Sequence, residues 1–423
     1  MASVTRGHIG PYKITQWPEG PGGVGLACHI TTHEEAFIKC EWLQPLSHEA
    51  LTLQALAGGV GIPTLHWLET INGKDVVLME PYGPTLEEIF HQSGRYMSMH
   101  VLLGFADQLL SRVEFIHHRK IIHGHLTPWS FALGVGWQSQ QLLLTDFNVE
   151  GQLKTISDDL RAIHKILSYL HSGAQEWESF NPDLVSVPVL DLFRRAIASR
   201  SDAADYNAMH RIFQEAYQDM ASNMAIALGL IGPRAIGCGL SPNTGALSML
   251  TSGELFEQLE QALAETGSLF AQTTEHAFVL HSFQTTEHAV ILHSFQDILD
   301  IYFVLLIRDR PSSKKEQYLM GAYHLPNRLW RDIRWFLNVT SGAAHVALVQ
   351  HAYRFMTAMY EMKHVYRLYW TKYLLQLARA RREVEPPCGI ASWTQTIFYW
   401  QDLVNKLDAG RKIFNKSGRG LLK

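Results

Sequence analysis

Between about Ile9 and Glu80 the chain alternates short β-like runs with glycine-bearing turns, and from Leu86 onward it abandons that period for helical spacing. The runs are Tyr12 to Trp17, Leu26 to Thr31, Glu35 to Glu41 and Val76 to Glu80, where a period of two favours strands. One helical stretch, Leu46 to Ala57, interrupts them. Val101, Leu102, Phe105, Leu109, Val113 and Ile116 then recur at the spacing that lines one face of a helix. The main later strand signal is Gln141 to Thr145. A chain with this order is expected to be α+β, with a small β-rich lobe ahead of a larger helical one.

The pattern changes after about Tyr217. A stretch from Gly229 to Thr244, bearing Gly, Pro and Ser, reads as a linker, so three segments are expected: 1–217, a linker over 218–252, and a helical region over 253–423. Within the last lies a tandem duplication, TTEHAFVLHSFQ from Thr273 followed by TTEHAVILHSFQ from Thr285. Two copies fall short of the three or more repeats that a solenoid needs, and the repeated histidines have no fixed metal-ligand partners, so the duplication reads as neutral. Trp330, Trp335, Tyr353, Tyr360, Tyr366, Tyr369, Trp370 and Tyr373 sit among leucines at helical spacing, which predicts core packing rather than base stacking.

Several classes are disfavoured. The four cysteines lie far apart without C-x-x-C spacing, so neither zinc nor disulfides organise the fold. The longest apolar run reads as Met224 to Leu240, which contains Pro233 and Arg234 and falls short of the roughly 20 residues a membrane span needs. With no apolar run after the first residues, the expectation is a soluble protein of a reducing compartment, cytoplasmic with the nucleus as an alternative, and with no membrane partner. Charge is uneven: from Arg308 onward there are 20 Lys/Arg against 8 Asp/Glu, leaving 16 against 32 before it. The basic region could attract nucleic acid, but no recognised module accompanies it, so intramolecular contact with the acidic first half or ordinary solvated charge is the expectation.

The strand-rich segment carries a constellation. Gly20, Gly22 and Gly25 have G-x-G-x-x-G spacing between two strand-like runs, followed at a suitable distance by Lys39, then by Glu49 on the next helical stretch. Glycines there let the backbone approach phosphates closely, and a lysine paired with a glutamate would neutralise them. Asp146 and Phe147, followed by Asn148, come after the strand-like Leu142 to Leu144. Three longer segments are more specific: Ala57 to Pro63, Tyr82 to Phe90, and Ala106 to His117.

Together these segments closely resemble the casein kinase I family of protein kinases, over roughly Ile9 to Tyr217. The resemblance implies a two-lobed kinase fold binding ATP and magnesium, with Met79 guarding the pocket and the Glu80 carbonyl and Tyr82 amide meeting adenine. It implies Asp146 as a metal ligand. It also aligns Asp159 with the aspartate that opens a helix and anchors the catalytic loop.

The departures fall on chemistry. Where the family's H-R-D-x-K-P-x-N loop belongs, the chain reads His123 to Ser130. Against that pattern Arg becomes Gly124, the base Asp becomes His125, Lys becomes Thr127 and the metal-binding Asn becomes Ser130. A small residue two before the lysine becomes Phe37, a β-branched residue becomes Ala27, and the pocket-floor leucine becomes Ala132. Phe37 then either folds into the adenine site or points to the core. Only twelve residues separate Asp146 from Asp159, so the activation segment and substrate-docking loop are missing. The expected function is an inactive pseudokinase that binds a protein partner. An unconventional Ser/Thr kinase using His125, and a decayed or incomplete product, stand as alternatives.

Overall fold

The computed structural model describes residues 7–19, 23–40, 47–71, 73–147, 154–198, 204–227, 242–276, 284–308, 324–362 and 366–418. The chain is α+β, with antiparallel strands near its N-terminus and a mostly helical remainder. It divides into two compact units that cut across the expected segments. One gathers the described residues of 1–39, 136–138 and 239–423; the other holds those of 40–135 and 139–238. Residues 1–39 thus cluster with the C-terminal helices. The expected linker falls largely outside the described residues.

The first unit begins with an antiparallel meander of β1 (His8–Ile9), β2 (Tyr12–Gln16), β3 (Gly25–His29) and β4 (Glu35–Cys40). Tyr12, Ala27, Ala36 and Ile38 are buried. The helices are α7 (Pro242–Leu247), α8 (Ser252–His276), α9 (Gln284–Arg308), α10 (Leu325–Val339), α11 (Gly342–Met362), α12 (Arg367–Val384) and α13 (Pro387–Gly418). Glu254 caps α8 by accepting the Thr251 amide at 2.6 Å, and Glu254 donates its own amide to the Thr251 hydroxyl oxygen.

Of the eight aromatics expected in the core, Tyr353, Tyr360, Trp370 and Tyr373 are buried, Trp330, Tyr366 and Tyr369 are half-buried and Trp335 is exposed; Trp400 is also fully buried, and Trp330 stacks on Tyr373 with centroids 4.7 Å apart. Their polar ends are paired, with Trp400 Nε1 donating to the Tyr353 hydroxyl at 2.7 Å and Tyr302 donating to Asp332 at 2.5 Å. The short turn Gly136–Gln138 belongs here too. Trp137 donates its indole N–H to Asp300 of α9 at 2.6 Å and meets Phe355 edge-on.

Most of Met224 to Leu240 lies outside the described residues. Among the described residues, Val290–Ile307 of α9 is the helical stretch long and apolar enough to cross a membrane, with mean hydropathy 1.7. Of that window 61% is buried inside the protein, and the enclosed Asp300 is hydrogen-bonded, which is the pattern of a core helix.

The second unit contains α1 (Ser47–Ala55), the hairpin β5 (Leu65–Ile71) and β6 (Lys74–Met79), then α2 (Leu86–Gln92) and α3 (Met99–His118). After them come the hairpin β7 (Phe131–Leu133) and β8 (Leu142–Leu144), α4 (Ile156–Ser172), α5 (Pro188–Ala198) and α6 (Tyr206–Ala227). Helix α2 starts at a reciprocal cap between Thr85 and Glu88, and Gly173 ends α4 in a left-handed conformation. Helix α3 is central, packing on α4, α6 and β8. Its buried Arg112 donates to the Leu142 carbonyl at 2.7 Å.

Helices α3 and α6 are joined by a histidine held between two carboxylates. His210 Nδ1 lies 2.6 Å from Asp107 and Nε2 lies 3.2 Å from Glu114. Burial pulls this imidazole down, but its bonds to the two carboxylates outweigh that and push it up to about 9. A folded value raised above the ordinary one, about 6.5, gives stability that is complete below about 6.5 and lost as pH rises through the folded value. Urea unfolding of the full chain at about pH 6 and about pH 10 should show wild type losing up to about 3 kcal/mol more than His210→Gln. Equal losses in both proteins would show that the clamp contributes nothing to the pH dependence.

Candidate functional site

The loop from His123 to Ser130 hangs on one carboxylate. Helix α4 starts where Thr155 donates its amide and hydroxyl to Asp158, each at 2.8 Å, which places Asp159 in the first turn. Asp159 is fully buried and accepts from the His123 amide at 2.8 Å, the Gly124 amide at 2.6 Å and His117 Nε2 at 2.8 Å. The other nitrogen of His117 meets the Tyr206 hydroxyl. Burial, with Glu114 and Asp159 adding to it, pushes that hydroxyl up and keeps it protonated. With a proton on Nε2, His117 donates to Asp159 while its Nδ1 faces the Tyr206 hydroxyl.

His123 passes the constraint on. Its Nε2 lies 2.5 Å from the Asp146 carbonyl and its Nδ1 accepts the His125 amide at 3.4 Å, so its proton belongs on Nε2. The His123 ring lies 5.9 Å from that of the fully buried Phe147. Gly124 has φ of +76°, and a Cβ there would fall 2.7 Å from Lys154 Cγ. The stem of Lys154 therefore lies over the position where the family has arginine. No spacing rule in the sequence singles out that contact.

The positions that the resemblance aligns with catalytic groups are His125 and Ser130. His125 is exposed to solvent. Ser130 is fully buried, and its hydroxyl accepts the Thr127 amide at 3.1 Å and lies 3.2 Å from the Thr127 hydroxyl. Its backbone carbonyl accepts the Thr145 amide at 2.9 Å. The serine staples the loop rather than facing a ligand. Between them Trp129 is 43% exposed, a large apolar group that the sequence reading did not single out. Asp146 is half-buried, and residues 148–153 of the shortened segment lie outside the described residues.

The other predicted residues of this unit are buried and tied down. Met79 and Glu80 end β6 in the core. Glu80 donates its amide to the Thr64 carbonyl at 2.9 Å and accepts the Thr64 amide on its carboxylate at 3.0 Å. Tyr82 is half-buried, and the chain after it is held by Gly83 donating to the Leu133 carbonyl at 2.6 Å and Leu133 donating to Pro84 at 2.9 Å. Glu49 is buried in the first turn of α1, and Ala132 is fully buried in β7.

Gly25, Phe37 and Lys39 belong to the other unit, and Gly20 and Gly22 lie outside the described residues. A Cβ on Gly25 would fall 2.5 Å from the Gln16 carbonyl oxygen, so the crossing of β2 and β3 alone requires glycine there. Strand pairing sets the faces around Phe37. Ala27 pairs with Ala36 and Leu26 with Phe37, and directly opposed residues share a face. Ala27 and Phe37 thus lie on opposite faces, and the phenyl ring does not take the space that Ala27 leaves. Nor does it join the core: Ala36 and Ile38 are fully buried, while Phe37 shares the half-exposed face of Lys39.

Among the described residues no group of three or more His, Cys, Asp or Glu side chains is gathered to hold a metal ion. No protein-family model matches the chain. What the loop geometry does offer is a backbone fixed by a buried carboxylate. Replacing that carboxylate with Asp159→Ala leaves buried donors unpaired and should cost about 3 kcal/mol in urea unfolding. Gly124→Ala, forced into left-handed backbone against Lys154, should cost about 1–3 kcal/mol. Wild-type midpoints for either variant would mean that the loop is not held in this way.

Proposed function

We propose that the chain is a catalytically inactive, two-lobed protein of the casein kinase I type, acting as a binding and regulatory module for a protein partner. The observation that carries this reading is the dissociation between scaffold and chemistry in one loop. Asp159 fixes the backbone at His123 and Gly124, the anchoring role the resemblance gives it, and His123 Nε2 lies at the Asp146 carbonyl. The chemical positions do not follow. Phosphoryl transfer depends on a carboxylate that orients the acceptor hydroxyl and on oxygens that hold magnesium. An exposed imidazole stands at residue 125, and the residue 130 hydroxyl is committed to Thr127.

Magnesium does not fit these residues. Of the two positions the family uses, only the Asp146 side chain remains to meet it, since Ser130 is turned inward. The reading therefore includes no phosphoryl step, and selection acts on surfaces instead.

The test uses the full chain with radiolabelled ATP and magnesium, assayed for label on the protein itself and on a mixture of Ser/Thr peptides. Incorporation should not exceed the blank. Transfer that disappears in Lys39→Ala would overturn inactivity and make His125 the group to pursue. In parallel, adding magnesium to ATP should raise the melting temperature no further than ATP alone, because only a ligand bound to the native state stabilises it.

A further inference from the structure

The turn between β3 and β4 carries a histidine whose bonding leaves no room for a second proton. His29 Nδ1 accepts the Thr31 amide at 3.2 Å and the Thr32 amide at 3.1 Å. The turn is closed by His33 in left-handed backbone, φ +57°, donating to the His29 carbonyl at 2.9 Å, while His29 donates to the Glu34 carbonyl at 2.8 Å. Tyr12, buried in β2, meets the His29 ring edge-on with centroids 4.9 Å apart.

The same turn holds the C-terminal helices of its unit. Glu34 lies with its carboxylate 3.2 Å from His351 Nδ1 of α11, a nitrogen that is also 3.0 Å from the Ala347 carbonyl. Thr32 donates its hydroxyl to Glu34 at 3.4 Å. From α12, Arg381 is paired with Glu385 at 2.8 Å, and its charge acts on both Tyr12 and Glu34. His29 thus shapes the loop that presents Glu34 to the bundle.

We propose that this turn is an acid-released latch: protonation of His29 opens the β3–β4 turn and frees α11 from the meander. The proton would enter at Nδ1, converting the acceptor of two amides into a third donor aimed at them, which leaves two N–H groups without partners. Burial first, and then His33, pull the imidazole below its ordinary range, with Glu34 opposing. A depressed value gives stability present above about pH 6.5 and lost as pH falls through the folded value. The groups facing the turn are Tyr12, His33, Glu34, His351, Arg381 and Glu385. His351 also faces Glu34, so the two histidines are separated by mutation.

Hydrogen exchange of the full chain, corrected for intrinsic rates, is read at about pH 7.5 and about pH 5, on either side of the ordinary imidazole range. Peptides over residues 27–38 and 342–362 should lose protection several-fold in wild type at the lower pH, while residues 156–172 hold theirs. His29→Asn, whose side-chain oxygen replaces Nδ1 without titrating, should abolish the loss, and His351→Gln should retain it. A loss unchanged in His29→Asn, a loss confined to 27–38, or an equal loss in 156–172 would each overturn the latch. If His29→Asn does not fold, the wild-type titration decides: a midpoint below about 6.5 supports the latch and one above it overturns it.

Discussion

A carboxylate without contact with water is costly to bury unless its lone pairs are filled, and Asp159 is held there by two backbone amides and an imidazole. The rest of the second unit's loop geometry descends from that exchange. With the His123 and Gly124 amides fixed, the His123 ring has one direction to point, and the Asp146 carbonyl lies at its end. Ser130 then closes the loop on Thr127 and receives Thr145 on its carbonyl, which starts the β7–β8 pairing. Such an anchor is largely indifferent to neighbouring side chains, because two of its three donors are backbone amides. The identities of residues 125 and 127 therefore bear little on the hold that Asp159 has on the loop.

How far the sequence reveals this follows from the range of each interaction. Helical faces such as Leu102, Phe105, Leu109 and Val113 are short-range and legible. Asp159 is placed only through the resemblance, which aligns it with a helix-opening aspartate; Thr155 caps that helix immediately before Ile156. The strand β5 was not anticipated, because Leu65–Ile71 lacks a buried face: both Trp67 and Leu68 are about two-fifths exposed, and alternation has nothing to mark. Phe37 fails for a different reason. Its face depends on which residue of β3 lies opposite, and a one-residue change of register moves every side chain to the other side.

Longer-range features are less legible still. Lys154 covers Gly124 from thirty positions along the chain, through a stem that could belong to any solvated lysine. The boundary expected near residue 217 rests on composition, whereas the units are assembled by contacts that pair the chain's beginning with its end. One contact that composition does not predict is local: the Glu34 carboxylate in a turn lies 3.2 Å from His351 Nδ1 on a helix.

The composition of the first unit has a consequence for how the protein is made. Its meander occupies the first forty residues, but the helices that share its unit begin some two hundred residues later. Strands that leave the ribosome first must wait for those helices, whereas the second unit is synthesised in between and has most of its partners at hand. Contacts so distant in sequence carry a large loop-closure entropy and form slowly. During that interval the apolar side chains of Tyr12, Ala27, Ala36 and Ile38 lack the helices of their own unit, and transiently exposed apolar surface of this kind favours aggregation.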